Sequence, residues 1–224
     1  MSGKALITGA SRGLGLALAG TLARRGWHVV ADARDAGRLT EAFADFPDIT
    51  TIPGDVTDLT HRKRLAEATK DGLDLLVNNA STLGPSPQPR LADYPGDELE
   101  RVYAVNTFAP LALIQLLLPQ LRKSRGSIVN VSSDAAVEPY AGWGGYGSAK
   151  AALDQLSAIL AAEEPELRVY ACDPGDMNTD LHQQAFPGED ISDRPAPESV
   201  VPAFLRLIEG TLPSGRYQAA EVRP

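Results

Sequence analysis

The chain has 224 residues, 43% apolar and 22% charged, enough to bury one sizeable core, so a single α/β domain over 1–224 is expected rather than two small ones. A formal net charge of -8 argues against a nucleic-acid or anionic-membrane surface, since phosphate groups are bound by clustered Lys and Arg, and points to small-molecule ligands. Cys172 is the one cysteine, which rules out an intrachain disulfide; with only a short apolar run before the first turn, a cytoplasmic protein with no signal peptide or membrane span is expected.

In chain order, apolar runs of strand character fall at 5–7, 28–31, 49–52, 73–77, 127–131 and 168–171, with segments of helical periodicity near 16–25, 36–46, 59–70, 99–122 and 147–162 between them. This alternation predicts a doubly wound parallel sheet with helices on both faces, its ligand crevice beyond the carboxyl ends of the strands. The stretch Gly84-Pro85-Ser86-Pro87-Gln88-Pro89 reads as a surface loop. The region 173–200, rich in proline with one short amphipathic piece around 179–186, reads as a substrate lid near 176–200.

After the first strand comes Thr8-Gly9-Ala10-Ser11-Arg12-Gly13-Leu14-Gly15, followed by an apolar helix. A strand, a Gly-rich turn and a helix N-terminus in that order can hold a pyrophosphate, because glycines admit close backbone approach and the first helical N–H groups face the anion. The glycine spacing departs from G-x-G-x-x-G, and a tight turn without a ligand has the same ingredients. The second strand ends Val29-Val30-Ala31-Asp32-Ala33-Arg34. Register places Ala33 at the position where an acidic residue would bind an NAD ribose, with Arg34 beside it and Arg12 in the turn as phosphate partners, which favours NADP(H) over NAD(H). A shift of one residue would put Asp32 there and reverse the preference, and Arg34 also fits a solvated loop charge.

Tyr146-Gly147-Ser148-Ala149-Lys150 opens an apolar helix, so Tyr146 and Lys150 lie one turn apart on one face. An adjacent ammonium favours the phenolate and would bring a tyrosine towards the working range of a proton donor. The pattern Y-x-x-x-K also arises on solvated helices. The preceding strand, Ser127 to Ser133, ends 13 residues before Tyr146. Ser133 at its carboxyl end would face the crevice and donate to a substrate carbonyl oxygen, with Ser132 turned to the other face by alternation. A turn-initiating hydroxyl is the other reading of Ser133.

Taken together, these residues resemble the short-chain dehydrogenase/reductase family, in its single-domain subgroup, over nearly the whole chain. The resemblance implies a Rossmann-type fold and assigns the turn Gly9, Ser11, Arg12, Gly13, Leu14 and Gly15 to the cofactor. Asp55-Val56 is similar to its adenine contact, and Asn78-Asn79-Ala80 to its N-N-A-G segment. Pro174-Gly175 and Thr179, with Met177, are similar to the segment that holds the nicotinamide carboxamide. Asn106 matches the helix Asn of a proton relay, and Ser133, Tyr146 and Lys150 match the other catalytic members, with Lys150 also on the nicotinamide ribose.

The implied activity is hydride transfer at a CH–OH/C=O group, with Tyr146 as general acid in reduction, in an NADP(H)-linked carbonyl reductase or alcohol dehydrogenase. A catalytically silent dinucleotide sensor is the alternative from another class; an epimerase or dehydratase of the larger relatives would be expected to carry a longer C-terminal domain. Ser81 stands where the family usually has Gly, close to the cofactor, and is expected to be tolerated. Candidate pocket residues are Ser81, Asp134, Glu138, Trp143 and Asp176. The helix 106–122 is apolar almost all round, which implies a covered outer face; in the family this helix joins a homodimer or homotetramer interface. His28, His61 and His182 lack metal-ligand spacing; His182, near the lid, reads as a surface histidine, with contact to substrate as the other reading.

Overall fold

The structure, a computed structural model, describes residues 3–222. Seven parallel strands form one sheet in the order β3-β2-β1-β4-β5-β6-β7. They are β1 (Lys4–Ile7), β2 (His28–Ala33), β3 (Ile49–Pro53), β4 (Leu75–Asn78), β5 (Ser127–Val131), β6 (Arg168–Asp173) and β7 (Gly215–Gln218). The helices are α1 (Gly13–Arg24), α2 (Ala36–Ala42), α3 (Leu59–Ala68), α4 (Gly96–Tyr103), α5 (Ala109–Ser124), α6 (Gly144–Glu163), α7 (Asp180–Ala185) and α8 (Val201–Glu209).

Strand alternation divides the apolar side chains between two layers. Ala5, Ile7, Leu75, Val77, Val129 and Val131 pack with Leu18 and Leu22 of α1 and Phe204 and Leu207 of α8. Their neighbours Leu6, Leu76, Ile128 and Val169 point the other way, onto Leu65 of α3 and Leu113, Leu117 and Leu121 of α5. Burial on both faces is why the strands read as short continuous apolar runs instead of alternating ones. One buried polar ladder crosses the second layer. Asn78 donates to Asn130 Oδ1 at 2.8 Å, Asn130 to Ser157 Oγ at 2.8 Å, and Ser157 to the Leu153 carbonyl at 2.7 Å, tying β4 and β5 to α6.

Three features depart from the sequence reading. The edge strand β7 and helix α8 were not anticipated. The first is only Gly-Arg-Tyr-Gln, half exposed and too short for a period, whereas α8 has a clear apolar stripe at Val201, Phe204, Leu207 and Ile208. The helix expected at 99–122 starts earlier and runs unbroken over Gly96–Ser124, 29 residues, with a π-helical turn at Ala104–Phe108 between α4 and α5. By length and composition alone this stretch could cross a membrane, contrary to expectation, and 44% of its most apolar window is buried within the fold.

Strand order reverses at β1, which is flanked by β2 on one side and β4 on the other, and a crevice opens beyond the carboxyl ends of these strands. Every element that the sequence marked for chemistry leads into it.

Candidate active site

The Gly-rich turn leaves β1 with Gly9 at φ +65°, a left-handed conformation that a side chain resists. Its shape is held from three sides. Gly9 N–H donates to Asp32 Oδ1 at 3.1 Å, Asn79 Nδ2 donates to the Thr8 and Gly9 carbonyls at 2.9 and 3.0 Å, and Thr8 Oγ1 accepts from the Asn79 and Ala80 N–H groups. Helix α1 begins at Gly13 with Arg12 in the capping position and no side-chain acceptor on its first N–H groups. Those donors face the crevice, a fit for an anionic pyrophosphate. Gly15 does not line the crevice; it sits behind the turn, where a Cβ would lie 2.5 Å from Asn79 Nδ2.

The crevice has a volume of about 800 Å³ and runs from Arg34 and Val56 past the turn to Tyr146 and the lid. Of the residues assigned to the cofactor, all but Gly15 border it: Gly9, Ser11, Arg12, Gly13, Leu14, Ala33, Arg34, Asp55, Val56, Asn79 to Ser81, Tyr146, Lys150, Pro174, Gly175, Met177 and Thr179.

At the far end Asp32 is buried, and both of its oxygens are engaged. Oδ1 takes the Gly9 N–H, and Oδ2 lies 2.8 Å from Nε2 of His61, itself buried. Burial raises the Asp32 carboxyl above the usual range, opposed by the hydrogen bonds from His61 and Gly9. His61 therefore belongs to the fold. Ala33 closes β2, and Arg34, Arg12 and Arg38 of α2 border the crevice. Arg12 pairs with Asp180 at the start of the lid, and Arg38 approaches the same carboxylate at 3.4 Å. Arg38 was missed in the sequence, although it lies only four residues beyond Arg34. Burial would raise the Asp55 carboxyl, but the Thr57 N–H and hydroxyl, with Arg34, hold it below its usual range.

At the other end, α6 brings Tyr146 and Lys150 to the crevice wall. Gly147 allows the helix to press on the turn after β5, since a Cβ there would meet the Ala135 carbonyl at 2.5 Å. Tyr146 is packed with Leu83, Ala135 and Trp143. Lys150 donates to the Val131 carbonyl at 2.6 Å, its ammonium 5.5 Å from the Tyr146 ring centre. Burial pushes the Tyr146 phenol up to about 12, opposed by hydrogen bonding to Ser81 and Ser133, and pushes Lys150 down to about 8. The expected lowering of the phenol by the adjacent cation does not appear, because the ammonium lies over the ring rather than at the hydroxyl and is spent on Val131.

Ser133 lies both at a turn and at the edge of the crevice. It caps the turn after β5, with Oγ 3.2 Å from the Ala135 N–H, and borders the crevice; its hydroxyl donates to Asp134 Oδ1 at 2.9 Å. Asn106 does not border the crevice. It is 1% exposed in the π-helical turn, where its amide is fixed against Thr82: Oδ1 accepts the Thr82 N–H at 2.9 Å and Nδ2 donates to the Thr82 carbonyl at 2.8 Å. It reaches the site through Ser81, whose hydroxyl donates to the same Oδ1 at 3.1 Å.

The segment expected as a lid borders this end. Thr179 caps α7 through the His182 N–H at 3.2 Å, and Trp143 packs on Tyr146 and on Phe186, with ring centres 5.8 and 6.1 Å apart. Ser81, Asp134, Trp143 and Asp176 border the crevice as expected, while Glu138 is exposed away from it. His182, expected on the surface, is largely buried under the lid, 3.7 Å from Asp176. Among the described residues no group of three or more His, Cys, Asp and Glu side chains is placed to hold a metal ion.

Comparison with known proteins agrees with this geometry. The family profile described as short chain dehydrogenase matches residues 3–190. Sepiapterin reductase of Mus musculus is 37% identical over 199 residues, covering 80% of this chain and 76% of that protein. Benzil reductase ((S)-benzoin forming) of Saccharomyces cerevisiae is 33% identical over 213 residues, covering 89% and 79%. A short chain dehydrogenase of Shigella flexneri solved in complex with NADP superposes with a TM-score of 0.90 at 28% identity, covering 97% of this chain and 96% of that one. The chain belongs to the short-chain dehydrogenase/reductase family, oxidoreductases that act on CH–OH and C=O groups with NAD(P).

Proposed function

We propose that this short-chain dehydrogenase/reductase is an NADPH-linked carbonyl reductase, equally an alcohol dehydrogenase in reverse, with Tyr146 as general acid and base. The observation that carries the reading is the burial of Tyr146 and Lys150 side by side at the crevice wall, with Ser133 and Ser81 bordering the same crevice. A neutral phenol that adjoins the crevice is a proton donor for a carbonyl oxygen. Ser133 stabilises the charge that develops on that oxygen once its hydroxyl turns from Asp134 to the substrate. Trp143, which borders the crevice beside Tyr146 and is backed by Phe186, supports an aryl or other flat apolar group on the carbonyl.

The bound dinucleotide supplies the hydride. The turn from Gly9 to Leu14 would hold its pyrophosphate, Asp55 and Val56 its adenine, Lys150 its nicotinamide ribose, and Pro174, Gly175, Met177 and Thr179 its carboxamide. The preference for NADPH rests on Asp32 and its neighbours. Asp32 is buried and its oxygens are drawn to Gly9 and His61, which turns it away from ribose hydroxyls, while Arg12, Arg34 and Arg38 line the crevice and would be partners for a 2′-phosphate.

The exposed Phe108, against Tyr103, and Ile159 of α6 support a homo-oligomer built on the α5 and α6 face. Light scattering at micromolar concentration checks this, and a monomer would refute it.

The direct test follows NADPH consumption against a panel of aryl ketones and aldehydes. Turnover with NADPH well above that with NADH is expected. Cofactor binding without turnover on any member would favour a dinucleotide sensor.

A further inference from the structure

The edge strand β7 turns one charged side chain towards the interior. Tyr217 packs on the layer of α1 and α8, so alternation sends its neighbour Arg216 to the opposite face of the sheet, where α6 lies. Arg216 stands in register with Ala171 of β6 and reaches past that strand to the turn after β5. Its guanidinium joins two separate elements: Nε donates to Asp154 Oδ2 of α6 at 2.9 Å, and Nη2 donates to the Ser133 carbonyl at 3.0 Å. Nη2 also lies 3.6 Å from Asp173 Oδ2, and the other oxygen of that carboxylate accepts the Gly175 N–H at 2.9 Å. The side chains of Asp154 and Asp173 are 13% and 6% exposed, so these contacts are sheltered from the solvent that weakens a surface ion pair.

Tyr146, Lys150 and Asp154 follow one another at intervals of four and form one stripe of α6. A group that holds Asp154 therefore acts on the rotation and advance of the helix that presents the phenol. Lys150 already ties this helix to the last residue of β5 through the Val131 carbonyl. Arg216 adds a tie to Ser133 itself, and leaves the Ser133 hydroxyl at the crevice because it takes only the carbonyl.

We propose that Arg216 is a positioning residue for the reaction: by joining Asp154 to the Ser133 carbonyl, it sets the spacing between the Tyr146 and Ser133 hydroxyls, which must converge on one substrate oxygen. The inference rests on Tyr146 as the proton donor. Arg216 does not border the crevice, so it acts through these two residues and not on a ligand. A planar guanidinium with donors in a fixed fork holds two acceptors at a set separation, which a single ammonium does not.

The test compares Arg216→Leu, Arg216→Lys, Asp154→Leu and Asp154→Asn with the parent enzyme. It measures kcat and KM for a carbonyl that the parent reduces, NADPH affinity by fluorescence titration, and amide hydrogen exchange. Arg216→Leu should lower kcat by about 10- to 100-fold, the cost of a displacement on the order of 1 Å, with KM and NADPH affinity within about twofold. Exchange should quicken at Ser133 to Ala136 and in the first turns of α6. Arg216→Lys keeps a cation beside Asp154 and Asp173, which protects the fold, and should recover only part of the lost kcat. Asp154→Leu should lose as much as Arg216→Leu, and the double variant no more than either alone, since each breaks the same link. Asp154→Asn retains an acceptor for Nε and should restore most of the turnover lost in Asp154→Leu.

Parental kcat in Arg216→Lys overturns the proposal, as does unchanged exchange at Ser133 to Ala136 in Arg216→Leu. Equal losses in Asp154→Asn and Asp154→Leu also overturn it, because charge and not position would then be the cause. If Tyr146→Phe is inactive and Arg216→Leu turns over at the parental rate, only the role of Arg216 fails. If Tyr146→Phe retains turnover, the assignment of Tyr146 itself fails.

Discussion

Two buried pairs of titratable side chains lie at opposite ends of one crevice, and they are used in opposite ways. Asp32 and His61 are hydrogen-bonded at 2.8 Å, and the spare oxygen of Asp32 fixes the Gly9 turn. Tyr146 and Lys150 share a helix face without bonding to each other, and burial drives them apart, the phenol up to about 12 and the ammonium down to about 8. The first pair is spent on shape. The second carries its desolvation unrelieved, which the proposed proton transfer would draw on. Burial raises the energy of a charge in both places; whether a partner of fixed geometry stands within reach decides whether the result is a brace or a reactive group.

The comparison can be broken most directly at the reactive end. Tyr146→Phe should lose on the order of 10²- to 10⁴-fold in turnover, the usual contribution of a positioned acid or base, while fluorescence titration shows NADPH still bound. Near-parental turnover would make the two pairs alike. At the brace, His61→Leu leaves the Asp32 carboxylate buried with only the Gly9 N–H. A loss of about 3 kcal/mol in chemical denaturation is expected, together with weaker NADPH binding as the turn loosens. A variant as stable as the parent would show that the pair braces nothing.

Lys150→Met should do the reverse of His61→Leu and stabilise the fold at pH 7, by about 2 kcal/mol, since a buried ammonium without a counter-charge at hydrogen-bonding distance is removed. The sign follows from the titration. With the folded value near 8 and the ordinary value at 10.5, the unfolded chain binds more protons between these limits, so parental stability rises with pH across them. The advantage of Lys150→Met should therefore shrink from pH 8 upward, and an advantage constant with pH would contradict the assigned cost. The smallest effect is expected at Arg34→Ala, where NADPH should bind about tenfold more weakly, roughly 1.4 kcal/mol, with NADH unchanged. Equal losses for the two would sharpen the division by moving discrimination to Arg12 and Arg38.

Much of this was legible in the chain. The alternation of apolar runs and helical segments is local information, because each strand buried on both faces must be apolar on both faces, and it was sufficient for six of the seven strands and the layered architecture. Gly9, Ser133, Tyr146 and Lys150 could be found because strand ends and helical spacing place them by short-range rules. Register placed Ala33 at the end of the second strand, where β2 does end.

What the sequence could not decide depends on which distant groups meet. His61, 29 residues from Asp32, gave no sign of being its partner, and Asp180, 168 residues from Arg12, none of bridging the arginines. The electrostatic state of Tyr146 was misjudged because spacing brings an ammonium near a phenol, whereas only packing decides that it lies over the ring and that Leu83 and Trp143 exclude water. Ser81 was visible as a departure from a motif, but its direction as a donor follows from an amide fixed by Thr82 and is a property of the folded site. Residue type and local period determine which groups are offered; desolvation and hydrogen-bond direction, which depend on every neighbour at once, arise only when the chain is folded.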